Sequence, residues 1–364
     1  MEERLIHWKD LSEFCKQVMM KLDVREPDAE KVADNLVVAN LRGIDSHGVA
    51  RLRRYVDGIK TGYIIPRAQP KIVKESRVLA NVDGGNGLGQ VAGVFGMELA
   101  IDKAKKEGFG MVTVFNSNHY GIAGYYAMMA LKHNFLGMSL TNSAPLVVPT
   151  FGKNALLGTN PISLAVPTKK HRPWVLDMAT SVVPRGKLEV YNRLGKPLPK
   201  GWATDETGHT TTDAARVLKN LLEQAGGGIL PLGGEGEEFG GHKGYGLNMF
   251  VDILTAVLSG SNYGPNVVSK KEGKVVFPRV AHMFMVIDPE YLVGLDELTK
   301  NMDNFIDILQ NSEKAEGETK IWVHGEKEYL KHDEREQKGI ALDAKTVESL
   351  TKISEEYQVA LKFK

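Results

Sequence analysis

Apolar residues Leu11, Phe14, Cys15, Val18 and Met19 recur at helical spacing, with Asp10 ahead of them as the expected cap. A second helix is predicted from Pro27, a good first-turn residue, to Gly43, a good stop. Asp45 and Ser46 are the expected caps of a third, which turns Val49, Leu52, Val56 and Ile59 inward and ends at Gly62. Strand and helix then alternate: strands over 78–82, 111–115 and 135–141, helices over 91–106 and 122–133. Between 145 and 200 the pattern changes to short β-rich runs at 162–166, 174–176 and 188–191, broken by Pro and Gly. A Gly-rich stretch over 226–246 leads into an apolar helix over 245–258, then a strand over 279–287. The charged tail carries a helix over 344–357, expected to pack back on the body. This is an α/β chain without the regular repeat of a doubly wound sheet.

Composition narrows the function classes. The 364 residues are 42 % hydrophobic and 25 % charged, as in ordinary globular proteins, and their length predicts two packed units. The 46 basic and 45 acidic residues leave a formal net charge of +1, which gives no electrostatic case for nucleic acid or an anionic membrane. No apolar run approaches the ~20 residues of a spanning helix. The opening Met1-Glu2-Glu3-Arg4 has no apolar signal-peptide core, and the one cysteine, Cys15, lies on a helical apolar stripe as a structural thiol. The expected location is the cytoplasm.

The candidate chemistry sits at element ends. His47 and Arg51 are four residues apart, so they share a helix face, and a helix first turn beside a guanidinium seats a carboxylate. The positive helix end is expected to keep His47 neutral. The bland alternative is a capped helix with solvated His47 and Arg51. His119 follows a predicted strand within Asn116-Ser117-Asn118-His119-Tyr120-Gly121, and ligands of α/β proteins gather at the carboxyl ends of strands. His133, His171, His209 and His332 read as surface residues. Asp177, ending a short apolar strand, is placed to orient an imidazole, accept a ribose hydroxyl or cap the next element; the sequence leaves all three open. Lys243 lies among glycines before a helix, an arrangement that favours a phosphate, or else a flexible connection. The run Asp83-Gly84-Gly85-Asn86-Gly87-Leu88-Gly89-Gln90 sits where a dinucleotide fingerprint would, but Gln90 takes the place of its third glycine. No nucleophile elbow and no zinc motif occur.

Taken in order, several segments resemble the type-2 malate/L-lactate dehydrogenase family. They are Asp45-Ser46-His47-Gly48, Asn118-His119-Tyr120-Gly121, Gly158-Thr159-Asn160-Pro161, Leu176-Asp177-Met178-Ala179-Thr180-Ser181, Gly201-Trp202-Ala203, Thr211-Thr212-Asp213 and Lys243-Gly244-Tyr245-Gly246. The resemblance implies a non-Rossmann, L-sulfolactate dehydrogenase-like α/β fold with a mixed, largely antiparallel cofactor-binding sheet. It implies an NAD- or NADP-dependent oxidoreductase of small 2-hydroxy acids or their 2-oxo counterparts, with malate and oxaloacetate the first expectation. Lactate, sulfolactate, ureidoglycolate, diketogulonate and cyclic imino acids also occur among relatives. His119 matches the proton donor and acceptor, Ser46 and His47 the substrate-pocket pair, and Arg51 the substrate-carboxylate partner. Ser143, Asp177, Met178, Ala179 and Lys243 match cofactor-holding positions. The resemblance also implies a homodimer with its active site near the subunit contact. By this reading residues 1–120 with 305–364 form a substrate-side domain, and 121–304 the NAD(P)-binding domain.

Two departures stand out: the acidic, glycine-rich stretch 232–239, and His324 where the family commonly has proline. Two rival readings remain. One is a metal-dependent enzyme using His47, His119 and Asp177 as two histidines and a carboxylate. The other is a non-catalytic small-molecule binder using the same cleft.

Overall fold

The computed structural model describes residues 4–363. β1 (Arg4–Ile6) pairs antiparallel with Ile340–Leu342, tying the two ends of the chain together. α1 (Trp8–Lys21) is capped by the His7 side chain, so Asp10 lies inside the first turn rather than at the cap. α2 (Glu26–Leu41) starts with Pro27 in its first turn, as its ring geometry favours. The expected third helix is divided. Two 3₁₀ turns, Asp45–His47 and Val49–Arg51, precede α3 (Leu52–Thr61), which stops where Gly62 adopts a φ of +85°. Leu11, Phe14 and Val18 pack with Leu36, Leu52 and Val56 and with Leu350 and Ile353 of the C-terminal helix α11 (Ala344–Tyr357). Each such buried aliphatic side chain contributes roughly 1.5–3 kcal/mol.

A seven-stranded sheet forms the body. Its strands are β2 (Lys71–Glu75), β3 (Leu79–Asp83), β4 (Phe109–Ser117), β5 (Leu136–Thr141), β6 (Ile162–Val166), β7 (Trp174–Met178) and Val280–Ile287. The order is β2-β3-β4-(Val280–Ile287)-β5-β6-β7, and only β3–β4 is parallel. The sheet is therefore mixed and largely antiparallel. It also spans the expected domain boundary at residue 120, because β2, β3 and β4 share it with strands from beyond that point.

α4 (Gly89–Glu107) and α5 (Ala123–Met129) cover one face, burying Met97, Val114, Tyr126 and Phe284. The other face packs Leu140 and Met283 against Val251 of α8 (Gly241–Asp252), whose next turn, Ile253–Val257, is a π-helix. The run expected as a strand at 188–191 is instead helical, within α6 (Arg185–Arg193), because Leu188 packs beside Val217 of α7 (Ala214–Glu223). Two further helices are α9 (Leu295–Asn311), where Leu295, Leu298, Met302, Phe305, Ile306 and Leu309 recur at helical spacing, and α10 (Glu326–Lys338), whose sequence is mostly charged.

Candidate active site

His47 sits in the first 3₁₀ turn rather than in an α-helix. Asp45 does not cap that turn; its carboxylate accepts from Asn40 Nδ2 at 2.6 Å and from both Arg335 Nη atoms at 2.6 and 2.9 Å. The turn presses so closely on α2 that a Cβ at Gly48 would lie 2.2 Å from Asn40 Oδ1, which requires glycine there. Ser46 Oγ and His47 Nδ1 are 2.9 Å apart, and Arg51 Nε donates to the Ser46 carbonyl at 2.6 Å. The turn thus fixes imidazole, hydroxyl and guanidinium relative to one another.

His119 meets them from the end of β4. Its ring stacks on His47 with centroids 5.6 Å apart and planes at 22°. Asn118 holds this loop, donating to Gly87 O at 2.9 Å and Asn86 O at 3.1 Å. The glycine-rich run at 84–89 therefore anchors the His119 loop. The Tyr55 hydroxyl lies 2.7 Å from His119 Nδ1, and the Gly121 N–H points at the same nitrogen from 3.4 Å. A backbone N–H can only donate, so Nδ1 accepts and the neutral ring carries its proton on Nε2. Among the described residues no protein group hydrogen-bonds Nε2.

Both imidazoles are held neutral. Burial, then Arg51 and Arg54, lower His47 from 6.5 to about 4. Burial, Arg54, His47, Arg51 and His282 hold His119 well below the usual imidazole range. The cause is thus enclosure beside guanidinium groups, where the sequence suggested a helix end. His47, His119 and Arg54 line one cavity with Thr141, Asn142 and Ser143. Behind it, His282 is fully buried, within 2.7 Å of Thr141 Oγ1 and 2.8 Å of Ser117 Oγ, and it stacks on Tyr120 at 4.4 Å.

The residues expected to hold a cofactor fall in three places. Ser143 lies in the histidine cavity, where its Oγ accepts the Thr159 N–H at 3.0 Å. Asp177 lines a second cavity with Arg42, Trp322, His324 and Lys327, and its Oδ2 accepts the Gly124 N–H at 2.7 Å. Burial pushes the Asp177 carboxyl up to about 6, against the pull of the Gly124 N–H and Arg42. Met178 ends β7 and Ala179 follows it, both half-buried. Lys243 stands in the first turn of α8, in a shallow pocket with Glu237, Glu238 and Phe239.

The rival metal site is not assembled. His47 and His119 stack in one cavity while Asp177 is committed to Gly124 in another, and no cluster of three or more His, Cys, Asp or Glu suited to a metal occurs among the described residues. Sequence reasoning missed Arg54, Tyr55, His282 and the asparagines at 142 and 160. Arg54 carried a signal as a second cation one turn from Arg51, and Asn160 stood in the Gly158-Thr159-Asn160-Pro161 segment without a role.

Comparison with known proteins agrees with this geometry. A family model described as malate/L-lactate dehydrogenase matches residues 6–351. A malate dehydrogenase of Pyrococcus horikoshii is 49 % identical over 94 % of this chain and 93 % of its own. A malate/(S)-sulfolactate dehydrogenase of Methanothermus fervidus is 37 % identical over 95 % and 96 %. Among solved structures, malate dehydrogenase from Entamoeba histolytica superposes with a TM-score of 0.94, at 38 % identity and full coverage of both chains (100 % each). The sulfolactate dehydrogenase of Methanocaldococcus jannaschii gives 0.86 at 37 %, covering 98 % of each. With cavity, sheet and full-length similarity in agreement, the chain belongs to the malate/L-lactate dehydrogenase family.

Proposed function

We propose that this protein is an NAD- or NADP-dependent dehydrogenase interconverting malate and oxaloacetate. The observation that carries the reading is the stacked His47–His119 pair, whose cavity offers the Arg54 guanidinium and an unpartnered imidazole Nε2, with Arg51 beside it on the Ser46 carbonyl. A small anionic substrate with a reducible oxo group fits that set, since Arg54 lines the cavity without a carboxylate partner among the described residues and Arg51 stands next to it.

The residues also fit a dinucleotide. Ser143 and Thr159 bring hydroxyls to the first cavity, and Asp177 brings an acceptor-only carboxylate, suited to a ribose hydroxyl, to the second. Arg42 and Lys327 add positive charge there, and the short segment from His119 to Gly124 lines both cavities. When bound, the nicotinamide supplies or takes the hydride at the substrate C2. Once the anionic substrate offsets the guanidinium charge, His119 takes a second proton at Nδ1. In reduction this imidazolium gives its Nε2 proton to the oxygen becoming a hydroxyl and keeps the Nδ1 proton on the Tyr55 hydroxyl; in oxidation that Nδ1–H tautomer takes the proton back at Nε2. Arg51 holds the neighbouring carboxylate, and Ser46 with His47 orients the reacting oxygen. Tyr55 serves either protonation state, since its hydroxyl both donates and accepts. Lys243 is assigned to the cofactor by family position alone.

Substrate-side groups come mainly from the N-terminal helices closed by the C-terminal helix, and cofactor-side groups from the sheet. On this reading the division of labour follows that seam. A homodimer is part of the proposal, supported by an apolar outer face on α8 and its π-turn: Phe250 is 45 % exposed, Ile253 48 % and Val257 52 %. No described helix is long and apolar enough to cross a membrane. The buried thiol of Cys15 is in keeping with a cytoplasmic home.

The test follows absorbance at 340 nm while the protein meets NADH or NADPH with oxaloacetate, pyruvate, sulfopyruvate and a cyclic imine. Turnover with oxaloacetate is expected; inactivity with every pair would sink the proposal.

A further inference from the structure

We propose that Asp252 is a positioning residue that holds the floor of the histidine cavity on its dinucleotide side, acting through Asn142 and Asn160. The inference rests on the dinucleotide reading above.

Asp252 is the last residue of α8, buried, and paired with no cation among the described residues. Hydrogen-bond donors converge on it instead. Asn142 Nδ2 donates to its Oδ1 at 3.0 Å, and Asn160 Nδ2 donates to its Oδ2 at 3.2 Å. Neither amide is free to turn over. Asn142 Oδ1 already accepts the Ala281 N–H at 2.9 Å, and Asn160 Oδ1 accepts the Ser143 N–H at 3.1 Å. One helical turn back, Asn248 accepts from Asn160 at 2.8 Å and donates to Gly158 O at 2.7 Å. Both asparagine side chains that reach residue 252 donate to it, so the position needs a group that accepts at each of its two oxygens. An ionised carboxylate is that group; an amide or a protonated acid would set a donor against a donor. Burial pushes the Asp252 carboxyl up, and the amides of Asn142 and Asn160 with the Gly264 N–H oppose that rise.

What the arms hold is the cavity itself. Asn142 and Ser143 line it from one side and Thr159 from the other, and the Thr159 N–H on Ser143 Oγ closes the loop between them. The left-handed backbone of Asn160, at φ +36°, is kept in place by the same contacts. Asp252 touches neither substrate nor cofactor in this arrangement; it sets where Ser143 and Thr159 stand.

The test compares wild type, Asp252→Asn and Asp252→Glu. The glutamate keeps a group that only accepts at this position, whereas the asparagine turns an N–H against one of the two amides that donate to it. Dissociation constants for NADH and NADPH are read by nucleotide fluorescence, melting temperatures by calorimetry, and Michaelis constants with oxaloacetate. Asp252→Asn is expected to weaken dinucleotide binding roughly 10- to 100-fold, the cost of a buried unpaired donor. The oxaloacetate Michaelis constant should move little, and Asp252→Glu should keep more of the affinity than Asp252→Asn. Wild-type dinucleotide binding by Asp252→Asn would overturn the inference. So would loss of folding in both variants, which would make the network structural alone. Failure of the wild type to bind either nucleotide would instead remove the dehydrogenase reading.

Discussion

The Tyr55 hydroxyl stands 2.7 Å from Nδ1 of His119, leaving Nε2 as the nitrogen without a protein partner. The two residues come from α3 and from the end of β4, so the contact joins the helical layer to the sheet. Tyr55→Phe should keep the fold, because the ring is buried and its shape survives. Loss of the hydroxyl should lower kcat about tenfold, the worth of one hydrogen bond that orients the ring. Steady-state kinetics at saturating substrate measure this; an unchanged kcat would remove Tyr55 from the machinery.

His119 and Arg51 should fail in different ways. His119→Ala is expected to cost roughly 10²–10⁴-fold in kcat, the usual share of general acid–base catalysis. Arg51→Ala should mainly raise the Michaelis constant for the carboxylate, since a clamp binds ground and transition states alike. Full turnover by His119→Ala would contradict the assigned role.

Mild acid should weaken the fold through its buried histidines. Folded His47 titrates near 4 and His282 near 3, against an ordinary 6.5, so the unfolded chain binds more protons between those values. Stability therefore rises with pH across that window and is lost as pH falls below 6.5. Asp177, raised to about 6, acts in the opposite sense, because the folded state holds its proton more tightly. Three buried histidines, with His119, outweigh it. The melting temperature should drop between pH 7 and 5, and His47→Gln should flatten the slope. A rise on acidification would show that the histidines are not buried neutral.

Gly124→Ala would place a Cβ 2.7 Å from Asp177 Oδ2, with the carboxylate already bound to that residue's N–H. Something must shift, at a cost of about 1–3 kcal/mol. Calorimetry should register a fall of several degrees in melting temperature, and nucleotide affinity should fall with it. A variant as stable as wild type would mean that Asp177 has room to move.

The sequence made some of this legible for a physical reason. His47, Arg51 and His119 stand at the ends of predicted elements, where side chains can face clefts, whereas Ser143 and the pocket role of Ser46 came only with the family resemblance. Tyr55 escaped notice because it lies on a helical apolar stripe and reads as core, with a partner 64 positions away. His282 occupies a strand position, and nothing local distinguishes a ligand-side imidazole there from a packed one. Asp252 did leave a trace, one carboxylate within an otherwise apolar helix, but its meaning depends on two distant asparagines. The run at 188–191 alternates as a strand does, and only packing of Leu188 against α7 makes it helical. Within 45–62 a single periodic stretch conceals the break at Gly48, since close approach to Asn40 is invisible to spacing.

α8 faces two ways. Asn248 and Asp252 point inward to the cavity floor, while Leu247, Phe250 and Ile253 lie on the surface. Mutational drift on that outer surface is consequently not free. A change that tilts the helix by a fraction of a turn to suit a new neighbour also re-aims Asn142 and Asn160. Lineages of this fold should therefore be conservative on an exposed apolar surface for reasons that belong to the chemistry beneath it.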